Sequence, residues 1–281
     1  MLANPRNLIL NLLLSLGGEA LTARDAVASC ALFGIRENST RVALARLSAA
    51  EQIEAAGRGA YRLGPKALKL AAEVATWRGA EQRVRDWNGD WIAVHVSGLG
   101  RMDRVALRAR ERALGMLGLA ELERGLHLRP DNLVGGALAV RERLLKLGLA
   151  QDAALFVAKD FDSARERRAR ALWDGKGLTR HYRRTRARLE DWLARAGGFE
   201  LEVAARESFL LGNDAIRDLV FDPLLPAPLV EVEARRAFVD AVVRFDAAGR
   251  AIWNTFLGQD RSRPTISRAR PALTTTLEAM Q

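Results

Sequence analysis

The stretch FGIRENSTRVALARLSAA, Phe33 to Ala50, decides how the chain begins. A polar cluster separates two helical patterns, and after it small apolar residues recur beneath two arginines, Arg41 and Arg46. A helical wheel of Ser39 to Ala50 places Thr40, Ala43, Leu44, Leu47 and Ala50 on one face, which packs on the preceding helices. Asn38, Arg41, Val42, Ala45, Arg46 and Ala49 then face out. That outer face is narrow, with small residues between two long cations. Such a helix enters a major groove without steric penalty, its N-terminal end meeting base edges and its arginines reaching guanine edges or phosphates. A solvated surface helix has the same appearance, so its neighbours decide.

Upstream, PRNLILNLLLSL reads as a first helix, GGEA as a turn, and Thr22 to Phe33 as a second helix. Thr22 and Asp25 stand in the positions of a capping box, and Asn38 or Ser39 can cap the third helix. Downstream, QIEAA and AYRL alternate in character around GRG, the pattern of a hairpin with a glycine turn. Three helices and a hairpin make a winged helix-turn-helix. Arg58, Tyr61 and Arg62 lie in or beside the wing, where phosphate and minor-groove contacts are made.

The middle of the chain changes period. DWIAVHVSG reads as a strand and MDRVALRARERALGMLG as an amphipathic helix. LAELERGLHLRPD is a strand or hairpin with a bulge at Gly125, LVGGALAVRERLLKLG a helix, and DAALFVAKDF a strand. This β-α-β-β-α-β order is ferredoxin-like. From Ser163 the pattern is helical again, and between Phe161 and Arg195 eleven Arg or Lys stand against five Asp or Glu. Further helices follow, broken by the proline-rich DPLLPAPL.

The fold class expected is α+β, mostly helical: a winged helix-turn-helix at 1–75, a ferredoxin-like middle domain with its linker helix at 76–162, a helical C-terminal domain at 163–258, and a mobile tail at 259–281. With 281 residues the chain is long enough for each part to bury a core. No run approaches the roughly 18 apolar residues that span a bilayer. The N-terminal apolar stretch has one early arginine, Arg6, and no small-residue cleavage site after it, so a cytoplasmic protein without membrane association is expected. The single cysteine, Cys30, sits in an apolar pattern and reads as a buried, inert thiol. Lys and Arg outnumber Asp and Glu by 44 to 34, nearly all of the excess being arginine, whose planar fork suits phosphates and base edges.

NPRNLILNLL, ALFGIRENSTRVALARLSAAEQIEA and GAYRLGPKAL resemble the N-terminal winged helix of the PaaX family of repressors, and WNGDWIAVHV, LGMLGLAELERGLHLRPDNL and DPLLPAPL follow that family's order. The chain departs from the family pattern at AEQIEA, where a glycine-containing step into the wing is usual, and at RLGPKAL, where a Leu-Thr ending is usual. The resemblance implies a dimeric, non-enzymatic transcriptional repressor of phenylacetate-like catabolism. Its grip on double-stranded operator DNA would be released by phenylacetyl-CoA or another acyl-CoA thioester. Carried onto this chain, it gives Arg36, Asn38, Ser39, Thr40, Arg41 and Arg46 as DNA-contacting positions, with Arg58, Tyr61 and Arg62 in the wing. A CoA ligand needs cations for its phosphates and an apolar slot for its acyl group. Arg101, Arg104, Arg108, Arg180, His181, Arg183 and Arg184 offer the first; Trp91, Trp173 and Tyr182 offer the second.

Other classes are carried beside this one. His95 and His127 fall in neighbouring expected strands, but without a carboxylate or cysteine at ligand spacing they read as packing residues, and neither a resident metal nor a cofactor is expected. A ferredoxin-like metal-dependent nuclease would need clustered acids, and only Asp160 and Asp162 form a close pair near a strand end. A nucleic-acid-binding protein without sequence preference would show strong salt dependence and no discrimination.

Overall fold

The computed structural model describes residues 4–99 and 103–258; Arg101 and the 259–281 tail lie outside the described residues. Chain contacts divide these residues into two compact units. One holds residues 4–76, Trp192–Asn213 and 244–258; the other holds Trp77–Asp191 and Asp214–Val243.

The first unit begins with α1 (Pro5–Ser15), α2 (Ala23–Ala31) and α3 (Glu37–Ala49), followed by the hairpin β2 (Ile53–Ala55) and β3 (Ala60–Leu63). A short β1 (Leu21–Thr22) pairs with β3, giving the sheet order β1-β3-β2, and α4 (Pro65–Ala75) follows. Asn4 caps α1 by accepting from Arg6 N–H, and the Thr22 side chain accepts from Asp25 N–H at 3.0 Å, the capping contact its spacing predicts. Gly34 ends the α2 region at φ 71°, a left-handed conformation, and its N–H reaches Ala31 O. Leu8, Ile9, Leu12 and Leu13 of α1 meet Leu44 and Leu47 of α3, together with Ile53 and Leu63, in one core. At about 1.5–3 kcal/mol for each large apolar side chain removed from water, this seam fixes which face of α3 turns outward.

One expectation is corrected here. α3 starts at Glu37 with Arg36 as its N-cap residue, two residues before the expected start, and no side chain caps it. Glu37 in the first turn interacts favourably with the helix dipole and pairs with Arg41, so the polar cluster continues the helix instead of preceding it.

The second unit carries β4 (Trp91–His95), α5 (Arg104–Met116), β5 (Ala120–Glu123), β6 (Leu126–Pro130), α6 (Gly136–Lys146) and β7 (Ala154–Ala158). The four strands form an antiparallel sheet in the order β5-β6-β4-β7, the ferredoxin-like arrangement that the element order predicts. Ile92 and Val94 point into a core with Leu114, Val140 and Leu144 of α5 and α6; Trp91, Ala93 and Leu128 point to the other face. His127 stands opposite Val94, one step from His95, so alternation sends the two histidines to opposite faces.

The remaining helices are α7 (Ser163–Arg170), α8 (Gly175–Arg195), α9 (Leu201–Val220) and α10 (Val232–Phe256), and each of the last three has residues in both units. Between α9 and α10, residues 222–226 are buried. Asp222 accepts from Tyr182 O–H at 2.6 Å and from Leu224 N–H at 2.7 Å. Asn132 donates to Leu224 O at 2.7 Å, and Arg235 donates to Leu225 O at 2.5 Å and to Glu81 at 2.7 Å. Gly118 lies beneath this strap at φ 65°, where a Cβ would come within 2.4 Å of Pro223 Cα, so no side chain fits there.

Candidate nucleic-acid interface and ligand cleft

The packing of α3 settles what its outer face carries. Thr40, Ala43, Leu44 and Leu47 are buried, while Glu37, Asn38, Ser39, Arg41, Val42, Ala45, Arg46 and Ala49 are exposed, as is Arg36 ahead of them. Thr40 is 0% exposed, and its hydroxyl lies 3.4 Å from Arg36 O. It therefore packs inward, where the wheel puts it, and leaves the set of outward positions that the resemblance gives. Cys30, also buried, lies against Thr40, and burial raises its thiol pKa.

Three cations on this side, Arg36, Arg46 and Arg58, are exposed and pair with no carboxylate among the described residues. The other two are paired. Arg41 lies 2.7 Å from Glu37 one turn earlier, and Arg62 lies 2.7 Å from Glu54 across the hairpin. Both are exposed ion pairs worth well under about 1 kcal/mol, so a phosphate or base edge can displace either carboxylate cheaply. Tyr61, the third wing position, is half-buried with its ring against the core of the unit. What projects from the wing is thus Arg58 and Arg62.

The residues expected to bind an effector are partly brought together. Trp173, Leu172, Leu178, His181, Gly118 and Phe221 line a cleft of ≈ 480 Å³ in the second unit. An adjoining cavity of ≈ 370 Å³ shares Leu178, His181, Phe221 and Pro223 and adds Tyr182, Arg217 and Asp218. His181 Nε2 is 2.6 Å from Asp218, and Arg184 reaches its Nδ1 at 3.4 Å. An arginine can only donate, so the Nε2 proton is the one His181 gives to Asp218, and both ring nitrogens are occupied. Arg180 is exposed, 3.7 Å from Asp174, and Arg183 pairs with Glu231.

The other members are placed elsewhere. Trp91 is 0% exposed, donates to Glu166 at 3.0 Å and stacks on Trp173 at 6.2 Å between centroids, so it supports the cleft's aromatic wall from within the core. Tyr182 is almost fully buried, with its hydroxyl on Asp222. Its pKa is raised by burial and by that carboxylate, so it is a neutral donor. Arg104 and Arg108 are exposed on the first half of α5, whose cleft-lining residue is Gly115; at about 1.5 Å per residue, Arg108 lies about 10 Å along the helix from it. Asp218, within α9, and Phe221, just past its end, carry no signal that sets them apart from the rest of that helix, and Pro223 escaped sequence reading because DPLLPAPL reads as a helix break. Its apolar run with a single acid was the available signal of a buried strap.

Asp162, half of the acid pair considered for a nuclease, caps α7 by accepting from Ala164 and Arg165 N–H at 2.9 and 2.8 Å. Among the described residues no group of three or more His, Cys, Asp or Glu is placed to hold a metal ion, and no helix is long and apolar enough to cross a membrane.

Residues 173–255 match the family described as PaaX-like protein C-terminal domain. The resemblance read from the sequence is thereby shown for that stretch, which contains most of the cleft. PaaX-like proteins are regulators, and the match supports a transcriptional regulator's role in general terms. The solved structure of the uncharacterized protein Rv0674 from Mycobacterium tuberculosis is similar over 90% of this chain and 100% of its own, with 25% identity and a TM-score of 0.57. No curated protein sequence gives a significant match.

Proposed function

We propose that this protein is a DNA-binding repressor of an aromatic-compound, phenylacetate-like catabolic operon, acting in the cytoplasm as a homodimer and released from its operator by an aryl-CoA thioester. One observation carries the DNA reading. α3 turns an apolar seam inward and presents Arg36, Asn38, Ser39, Arg41 and Arg46 outward, with small residues between them and a wing bearing Arg58 and Arg62 beside it. Arg41 and Arg46 suit the bidentate contact to guanine, and the wing cations suit phosphates. The uncapped first turn of α3 leaves N–H groups available to a phosphate.

The effector reading rests on the cleft. Its volume falls within the usual range for small-molecule sites, Trp173 and Phe221 offer aromatic surface to an aryl group, and Arg180 and Arg184 stand exposed on α8 for phosphates. By linkage, the thioester must bind the DNA-free protein more tightly by the factor that it weakens DNA binding.

The test is a fluorescence-anisotropy titration of the full chain onto its own upstream DNA and onto a scrambled duplex, at two salt concentrations, with and without phenylacetyl-CoA. Preference for the upstream DNA that disappears on adding the thioester supports both halves. Preference without a ligand response keeps the repressor and discards phenylacetyl-CoA, and no preference at either salt discards the sequence-specific reading.

A further inference from the structure

One arginine of α5 is turned inward without a partner. Ala113 and Leu114 share the core with Ile92 and Val94 of the sheet, and Arg110, one turn earlier on the same stripe, is only 8% exposed. A guanidinium so placed is expected to find acceptors, as Arg129 does with Leu117 O, Pro130 O and the Asn132 side chain. Arg110 makes no hydrogen bond and no ion pair among the described residues. It is not sealed, however. None of its nitrogens is among the fully buried, partnerless atoms, so the guanidinium still meets solvent and a ligand can reach it.

The sheet beneath α5 supplies a second group in the same condition. Glu121 of β5, His127 of β6, Val94 of β4 and Leu155 of β7 stand opposite one another in register, so their side chains share the face that α5 covers. His127 Nδ1 is buried and has no hydrogen-bond partner. Glu121, the acid of this row, is engaged elsewhere, accepting from Gly125 N–H at 2.7 Å. Burial lowers the His127 pKa, with Arg110 close enough to add to the effect and Glu121 and Gly125 opposing it, so the ring is neutral at pH 7. A guanidinium can only donate, and a neutral imidazole can carry its proton on Nδ1. The two groups together are donors that lack an acceptor.

We propose that Arg110 and His127 form a binding site for a small carboxylate, whose oxygens accept from the Arg110 fork and from the Nδ1–H of His127. The site goes beyond the repressor reading: neither residue lies on α3, in the wing or in the cleft, and the site stands whatever DNA the protein binds. Charge and shape select the ligand. The fixed charge of Arg110 excludes a cation, and its planar fork matches a carboxylate bidentately. With Glu121 in the same row, a singly charged anion meets less repulsion than a doubly charged phosphate.

The experiment is a titration of the full chain with sodium acetate, followed by NMR of the nitrogen-15-labelled histidine rings, with sodium chloride at the same ionic strength as control. The chain has three histidines, and His127→Gln identifies the His127 signals. Acetate is expected to shift those signals saturably, with half-saturation on the order of 10 mM for a ligand of so few atoms, and to leave His95 and His181 unmoved. Arg110→Met keeps the length of the side chain without its donors and is expected to raise the dissociation constant at least about tenfold, with unchanged circular dichroism. Arg110→Lys keeps the charge and loses the fork; it is expected to weaken binding as well and covers the case in which Arg110→Met misfolds. His127 signals that ignore acetate, that move equally with chloride, or that respond undiminished in folded Arg110 variants would each overturn the site. Inorganic phosphate binding more tightly than acetate would overturn the choice of a carboxylate. Because no DNA is present, these outcomes leave the repressor reading untouched.

Discussion

Around the winged helix, Arg36, Arg41, Arg46, Arg58 and Arg62 all stand in solvent, whereas in the sheet-bearing unit Arg129 and Arg235 are 1% and 0% exposed. Arg129 donates to the carbonyls of Leu117 and Pro130 and to the Asn132 side chain; Arg235 donates to Leu225 O and to Glu81. Burial lowers the Arg129 pKa to about 9, while its neighbours at hydrogen-bonding distance keep it a useful donor. The same residue type therefore does two jobs. A solvated guanidinium retains donors for a partner that is not part of the chain, and a buried one must find its partners within it. Substitutions in the first set should alter affinity, and those in the second set should alter stability.

The largest expected effect tests the second half of that contrast. Arg235→Ala leaves Glu81 largely buried and Leu225 O without its donor, and should cost about 3–5 kcal/mol in urea unfolding. Arg236, 3.6 Å from Glu81, compensates in part and places the loss toward the lower end. A loss below about 1 kcal/mol would show that the buried arginine is not structural.

Next comes Tyr182→Phe, which removes the hydroxyl that donates to Asp222 and should cost about 1–3 kcal/mol. Burial is the main cause that raises the Asp222 pKa, opposed by the Tyr182 hydrogen bond and by Arg235. A carboxyl whose folded-state pKa lies above its unfolded value contributes most stability below the unfolded pKa, about 3.9, and loses that contribution as pH rises through the folded value. Wild type measured against Asp222→Asn should therefore be relatively more stable near pH 4 than at pH 7. The opposite trend would mean that the strap holds Asp222 as a favoured carboxylate.

The exposed set should act on DNA binding and leave folding stability nearly unchanged. Arg62→Ala should weaken binding to operator and scrambled DNA alike and reduce the salt slope by about 0.9, the share of one phosphate contact. An unchanged slope would remove the wing from the interface. Smallest of all, Arg41→Ala should change folding stability by no more than about 0.5 kcal/mol, because its pair with Glu37 is a solvated contact one helical turn apart. A larger loss would make Arg41 a structural residue and blur the contrast between the two sets.

Much of the fold was legible because it follows from period and punctuation. The spacing of Thr40, Ala43, Leu44 and Leu47 fixed the inward face of α3, although Ala50, expected on that face, is exposed past the helix end, and the glycines around Arg58 marked the wing. The bulge expected at Gly125 is displaced: Gly125 sits in the β5–β6 turn, and the register shifts between Glu121 and Glu123. The burial of Arg129 and Arg235 was not legible, since an arginine in sequence reads as exposed and only long-range partners such as Glu81 and Asn132 keep it inside. Trp91 and Trp173 looked alike in sequence, yet one is enclosed and the other lines a cleft, a difference set by which sheet face and which helix end each occupies. The start of α3 was misplaced because Glu37 was read as part of a loop, when as a first-turn acid it belongs to the helix.

The central claim is that the outward face of α3 reads base edges, and the most direct measurement compares wild type with Arg41→Ala on upstream and scrambled duplexes at matched salt. The account predicts that the variant loses about 1–3 kcal/mol on the upstream DNA and far less on the scrambled one, so that discrimination falls. Equal losses on both duplexes would contradict it and leave Arg41 as a phosphate contact.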